Sequence, residues 1–255
     1  MKVDLNADMG ESFGPWKMGN DPALLDIVTS ANIACGAHAG DGDVMHATMQ
    51  LARDKGVGVG THPGFSDLQG FGRRRMQVPL PSLQNSIRVQ FGASLGMARA
   101  LKTDVRHFKL HGALGNMTAE DEEMALACYE AALSVDPETI LVVTAATAQQ
   151  RAAEQLKASF ACEIFADRAY NDDATLVDRR KPGAIIHDAK LAGDRMVQMV
   201  KAQAIFTASG KRIESPVDTI CCHGDTPEAV DIAGCVRQAL QDAGIEVTQF
   251  AGRRG

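Results

Sequence analysis

Four of the seven histidines, His38, His62, His111 and His223, share one setting: each follows an apolar or β-branched run and has a glycine within two residues. Imidazole changes charge near neutral pH, and a neighbouring glycine lets the backbone turn tightly or approach a ligand. Carboxylates and amides recur at equivalent places. Asn6, Asp8 and Glu11 close the first run, Asp41 follows His38, Asp167 ends a later run, and Asp225 follows His223. Imidazoles and carboxylates gathered on one rim suit general acid–base work, because burial and neighbours tune their pKa values. Lys109 stands two residues before His111, so strand alternation puts both on one face. Inside a barrel such a lysine pairs with a carboxylate, for which Asp8 is the candidate, or donates a proton.

Arg73-Arg74-Arg75 sits in a glycine-rich loop beside Phe71, and Arg168 opens a second polar stretch. Guanidinium grips carboxylate or phosphate with two parallel bonds, so Arg73, Arg74 and Arg168 are candidates for holding a small anion. Each residue also has a plain structural role open to it: Asp41 and Asp225 can cap helices, a lone strand-end histidine can be a hydrogen-bonded structural residue, and an arginine triplet can be a solvated run. His38, His62 and Asp8 are a candidate metal set of two imidazoles and a carboxylate. Neither HExxH nor HxH occurs, so the metal content is undetermined by the sequence. No GxxxxGK[ST] phosphate loop occurs, and no GxSxG stands at a strand-to-helix turn where a nucleophile elbow needs it, since the string Gly92–Gly96 falls within a helical pattern. The glycines of Gly56-Val57-Gly58-Val59-Gly60 lie within a strand pattern rather than opening a helix, which argues against a nucleotide loop.

The elements that must position these groups alternate along the chain. Strand patterns fall at 3–8, 27–34, 57–61, 107–110, 139–143, 162–166 and 219–222, with weaker ones at 184–186, 204–206 and 246–248. Helical periodicity covers 41–55, ending at Gly56, and 83–101. Thr118 and Asp121 are spaced as a capping pair for a helix to about 133. Thr226-Pro227-Glu228 reads as the start of a helix that buries Val230, Ala233, Val236 and Leu240 and stops at Gly244. Strand–helix alternation without a linker predicts one α/β domain over 1–255 with a parallel sheet, and the length and even spread of elements favour a barrel. In such folds the active face lies at the strand C-termini, where these candidates collect. The segments 64–81 and 168–183 show no periodicity and are expected to be functional lids.

With 26 Lys+Arg against 32 Asp+Glu, the 255-residue chain has a formal charge of −6, a poor match to nucleic acid or an anionic membrane. It has no apolar run of membrane-spanning length. The six cysteines include no CxxC pair, which fits reduced thiols and a cytoplasmic protein.

The strings DLNADMGE (4–11), SANIACGAHAGD (30–41), GTHPGFSD (60–67), FGRR (71–74), KLHGALGN (109–116), EIFADRAY (163–170) and CCHGDTP (221–227) resemble the LamB/YcsF family, essentially from end to end. Leu110 and Gly115 stand where the family usually has Pro and Tyr. The resemblance implies a distorted, seven-stranded TIM-like barrel related to polysaccharide deacetylases. It also implies a hydrolase acting on cyclic amide C–N bonds: ATP-dependent opening of 5-oxoproline to glutamate, with partner subunits B and C and ATP used by the complex. Under that reading Asp8 with His62 or His111 activates water or the ring, and Lys109 stabilises charge on the lactam oxygen. Asn6 donates to the same oxygen, Arg73, Arg74 or Arg168 grips the substrate carboxylate, and Glu11, His38, Asp41, Asp167, His223 and Asp225 line or orient the pocket. Two other readings stand beside it: a metal-dependent amidohydrolase or deacetylase acting alone, and a non-catalytic subunit that binds a small anion. A homo-oligomer is compatible with all three.

Overall fold

The first strand shows how the barrel is built. In β1 (Lys2–Met9), Val3, Leu5, Ala7 and Met9 join the apolar core, while the alternate residues Asp4, Asn6 and Asp8 are also buried but hydrogen-bonded to other strands. A strand buried on both faces, one apolar and one polar, has the core outside it and a polar interior within. A computed structural model of the chain describes residues 1–223 and 228–254. In it β2 (Ser30–Ala34), β3 (Gly58–His62), β4 (Val105–Lys109), β5 (Ile140–Thr144) and β6 (Ser159–Phe165) follow β1 in parallel order. A short hairpin, β7 (Ala204–Phe206) with β8 (Arg212–Glu214), precedes β9 (Thr219–Cys221). Because β9 pairs in parallel with both β6 and β1, seven strands close into an α/β barrel of the TIM type.

Helices cover the outside: α1 (Asp21–Leu24), α2 (Gly42–Asp54), α3 (Leu80–Ala100), α4 (Gly112–Glu120), α5 (Glu122–Val135), α6 (Ala148–Gln155), α7 (Ala189–Ala202) and α8 (Ala229–Asp242). Their apolar faces meet the outer strand residues, as where Phe91 of α3 and Tyr129 of α5 pack on Phe108 of β4. Asp41 caps α2, its carboxylate accepting from Val44 N at 2.9 Å, as its spacing predicts. The interior is closed from below by the C-terminal chain. β10 (Glu246–Val247) lies beside β1, Phe250 packs on Val142 and Ala161, and β11 (Arg253–Arg254) runs antiparallel to β6.

Several expected elements differ. Thr118 is not a cap: it lies inside α4 and bonds back to Leu114 O, and Asp121 caps α5 by accepting from Met124 N. Spacing alone cannot choose between a capping hydroxyl and one that turns onto its own helix. The segment 184–186 is not a strand; Ile185 forms a single bridge to Arg168. The weaker strands at 204–206 and 246–248 exist only as β7 and β10, outside the closed barrel. Val230 is half-buried, with Ile232 taking the buried place in α8, and the capping residues Thr226 and Pro227 lie outside the described residues. The glycines of β3 have a steric purpose: a Cβ on Gly60 would stand 2.0 Å from the His107 imidazole, which fills the interior there.

Candidate active site

At the C-terminal end of the barrel, Asp8 of β1, Lys109 of β4 and Glu163 of β6 all point inward and meet. Lys109 Nζ lies 3.0 Å from Asp8 Oδ1 and 2.8 Å from Glu163 Oε1, and it also donates to Asn6 Oδ1 (3.3 Å) and Cys221 Sγ (3.1 Å). Lys109 is only 4% exposed, so its charge persists only because two carboxylates face it. Burial disfavours that charge, yet Asp8, Cys221 and Glu163 outweigh it and hold the lysine pKa well above its ordinary value. Burial likewise opposes ionisation of Asp8, but the charges of His62 and Lys109 win and keep the carboxyl well below its usual range. Asn32 of β2 donates to both Asn6 Oδ1 (2.7 Å) and Asp8 Oδ1 (2.9 Å), fixing the orientation of each.

Beside this triad lie three imidazoles and Glu11. His62 Nε2 is 3.4 Å from Asp8 Oδ2 and 3.1 Å from His111 Nδ1. Glu11 Oε1 is 3.5 Å from His111 Nδ1 and 3.4 Å from His38 Nε2, and the His38 and His111 rings stack at 3.6 Å. Burial first, and then the neighbouring histidines, push the pKa values of His38 and His111 well down, so both rings are held neutral. The loop after β3 closes on this stack. A Cβ on Gly64 would come 2.9 Å from His38 Nδ1, and one on Gly72 (φ +60°) 2.7 Å from His38 Cβ, so the approach requires glycine at both positions. Gly72 O then accepts from Ala113 N, and Phe71 O from His111 Nε2, joining the loop to the start of α4.

On the other side, both Asp167 oxygens lie 2.8 Å from His223 Nδ1, whose ring stacks on Phe165 at 5.5 Å. Burial raises the Asp167 pKa, but His223 outweighs it and the net shift is downward. Arg195 holds the carbonyls of Ala166 and Arg168 at 3.2 Å and so anchors the loop after β6. Together these groups surround a cavity of about 750 Å³ lined by Asp8, His62, Lys109, His111, Glu163 and His223 at the floor, and by Arg73, Arg168 and 175–181 towards the mouth. That volume suits a small molecule. Residues of both segments expected to be lids, 64–81 and 168–183, line it. Arg168 donates to Val177 O at 2.6 Å while its buried Nε has no hydrogen-bond partner among the described residues; burial and Arg179 push its pKa down to about 10.

Of the residues singled out in the sequence, Asp8, His62, Lys109, His111, Arg73, Arg168 and His223 line this cavity. Glu11, His38 and Asp167 stand one layer behind, each touching a lining histidine. Asn6 lies beneath, bonded to Glu163 (3.0 Å) and Thr219 (2.7 Å). Arg74 turns away to an ion pair with Asp67, and Asp41 is engaged at the helix cap and with Gly14 N. Asp225 lies outside the described residues. The candidate metal set regroups: His38 and His62 gather with Glu11 and His111, whereas Asp8 groups with Cys221 and His223. The sequence reading missed Glu163, although a lone acid in the apolar run Phe160–Phe165 is a visible signal. It also missed Asn32 and Cys221, whose alternation phase alone marks them as inward-facing. Gly115 lines the cavity from α4, where a Cβ would meet Leu110 O at 2.8 Å.

A closed parallel barrel with buried acid, lysine and imidazole groups at its C-terminal mouth has the arrangement of a TIM-type enzyme site. The profile of the LamB/YcsF family matches residues 3–255, and this chain belongs to that family. A protein of Ruegeria pomeroyi that bears the name of the 5-oxoprolinase A subunit is 64% identical over 249 residues, covering 98% of each chain. One of the same name from Nitrobacter hamburgensis is 49% identical, again over 98% of each. The crystal structure of the lactam utilization protein from Thermus thermophilus superposes with a TM-score of 0.92 at 38% identity, over 98% of this chain and all of that one. A structure from Enterococcus faecalis at 13% identity and TM-score 0.58 shares the fold alone.

Proposed function

We propose that this chain is the A subunit of a cytoplasmic, ATP-dependent 5-oxoprolinase, opening 5-oxoproline to glutamate together with subunits B and C. The names of its relatives support the activity, and one structural observation carries the chemistry: a buried lysine held between two carboxylates, at the floor of a small cavity with arginines at its mouth. 5-Oxoproline offers a carboxylate to the mouth and a lactam carbonyl to the floor. Arg73 and Arg168 hold the carboxylate by charge-assisted bonds. Lys109, kept cationic, stabilises the negative charge that grows on the lactam oxygen as water adds to the carbonyl carbon. Asp8, kept ionised, orients that water, whose protons pass to the ring nitrogen as the C–N bond breaks, leaving a carboxylate and an ammonium group. A five-membered lactam closes readily, so opening it gains from coupling to ATP. The sequence has no phosphate loop of the GxxxxGK[ST] type, so the ATP chemistry is shared with, or carried by, subunits B and C.

The test is glutamate release from 5-oxoproline and ATP by the complex reconstituted with subunits B and C. Release that needs this chain and falls in folded Asp8→Asn and Lys109→Met variants is expected. Undiminished release by both variants would remove the assignment, and so would a complex that is equally active without this chain.

A further inference from the structure

His62 Nδ1 lies 2.9 Å from the Lys109 carbonyl oxygen, and His111 Nε2 lies 2.8 Å from that of Phe71. A carbonyl only accepts, so both nitrogens carry their ring's hydrogen. In the neutral form of each ring the opposite nitrogens, His62 Nε2 and His111 Nδ1, are bare lone pairs, and they face each other at 3.1 Å. Two lone pairs at that distance repel unless a cation lies between them. The Glu11 oxygen and His38 Nε2 converge on the same place, and the four ligand atoms all lie within 4.8 Å of one another.

We propose that Glu11, His38, His62 and His111 form a binding site for a first-row divalent cation, with Zn²⁺ the best match to three imidazoles and one carboxylate. Zinc–nitrogen and zinc–oxygen bonds of about 2.0–2.2 Å in a tetrahedron set neighbouring ligand atoms roughly 3.4 Å apart. The separations here are 3.1 Å (His62–His111), 3.4 Å (His38–Glu11) and 3.5 Å (His111–Glu11). Ligating histidines usually donate their second nitrogen to a carbonyl or carboxylate, as His62 and His111 do. Glu11, His62 and His111 are the anchors. His38 lies parallel to His111 and reaches the centre obliquely; its buried Nδ1 has no hydrogen-bond partner among the described residues to resist turning the ring towards an ion. A proton shared by His62 and His111 would satisfy that pair, but it would not account for His38 and Glu11 meeting at the same centre. Since His62 and His111 also line the cavity, the ion stands in its wall, next to Asp8. The site rests on ligand geometry and does not depend on 5-oxoproline being the substrate.

The experiment uses the full chain purified without chelator, its metal measured by elemental analysis. A chelator-stripped sample is then titrated with Zn²⁺ and with Co²⁺. About one ion per chain is expected, with the visible bands of four-coordinate cobalt. Glu11→Gln, nearly isosteric, and His111→Ala, each checked for folding by circular dichroism, are expected to bind Zn²⁺ roughly 100-fold more weakly, the upper end of what losing even an outer partner costs. Stripped wild-type protein that binds neither ion would overturn the site. So would folded Glu11→Gln binding Zn²⁺ as tightly as wild type. One bound ion in a chain that supports no ring opening would reject the functional reading and leave this one standing.

Discussion

Lys109 and Glu163 meet at 2.8 Å across the barrel, from strands separated by β5, and each is almost completely buried. Glu163 depends on Lys109 as its counter-charge, because an isolated buried charge costs several kcal/mol. Lys109→Met strands two carboxylates and is expected to lower stability by about 3–5 kcal/mol, measured by urea denaturation. Adding Glu163→Gln should recover much of that loss. Activity of the complex should stay down by roughly 100-fold or more in both proteins, since the cation that faces the lactam oxygen is gone in each.

The arginines separate by partner rather than by position in the triplet. Arg73 lies over the Phe71 ring at 4.9 Å and lines the cavity, whereas Arg74 is committed to Asp67. Arg73→Ala and Arg168→Ala are each expected to raise KM for 5-oxoproline about 10- to 100-fold, the worth of one hydrogen bond to a charged group. Arg74→Ala should leave KM where it was. Steady-state kinetics of the reconstituted complex read both outcomes, and an equal rise in all three variants would dissolve the distinction.

Asp4 sits inside the barrel, accepting from Thr29 and Ser30 at 2.7 Å and from Thr219 at 2.5 Å. Burial outweighs these donors and raises its pKa from 3.8 to about 6. The folded protein therefore keeps a proton that the unfolded chain has released. This contribution to stability is complete below pH 3.8 and is lost as the pH climbs through about 6. Asp4→Asn stays neutral throughout, so its stability relative to wild type should rise by up to about 3 kcal/mol between pH 4 and pH 8. Thermal melts across that range check the sign.

Gly60→Ala places a methyl where the His107 ring lies. Overpacking of this kind costs about 1–3 kcal/mol. The double variant Gly60→Ala with His107→Ala opens the space and should be more stable than Gly60→Ala alone. A double-mutant cycle by chemical denaturation detects that coupling, and additive losses would contradict it.

Much of the site is legible along the chain because its groups follow strands, and strand ends carry a local signature of apolar run, then polar residue and glycine. That signature marks His38, His62, His111 and His223, as well as Asp8 and Lys109, while the lack of periodicity over 64–81 and 168–183 marks the two loops that line the cavity. Glu163 escapes it because it is a strand residue rather than a strand-end one, distinguished only by its phase among Ala161 and Phe165. Thr118 misleads for a related reason: a hydroxyl chooses between a cap and its own helix by local geometry that spacing does not contain.

The amino-acid sequence by itself determined the alternation of strands and helices, the common face of Lys109 and His111, the placing of Asn6 and Asp8 at a strand end, and the family to which the chain belongs. Those properties depend on periodicity and local motif, which a linear order of residues records. Only the tertiary structure decided which acid faces Lys109, which arginine reaches the cavity, and that Glu11 rather than Asp8 joins the three imidazoles. Such choices are made by barrel closure, which brings strands distant in the chain to within hydrogen-bond reach, and no local pattern encodes the distance across a barrel.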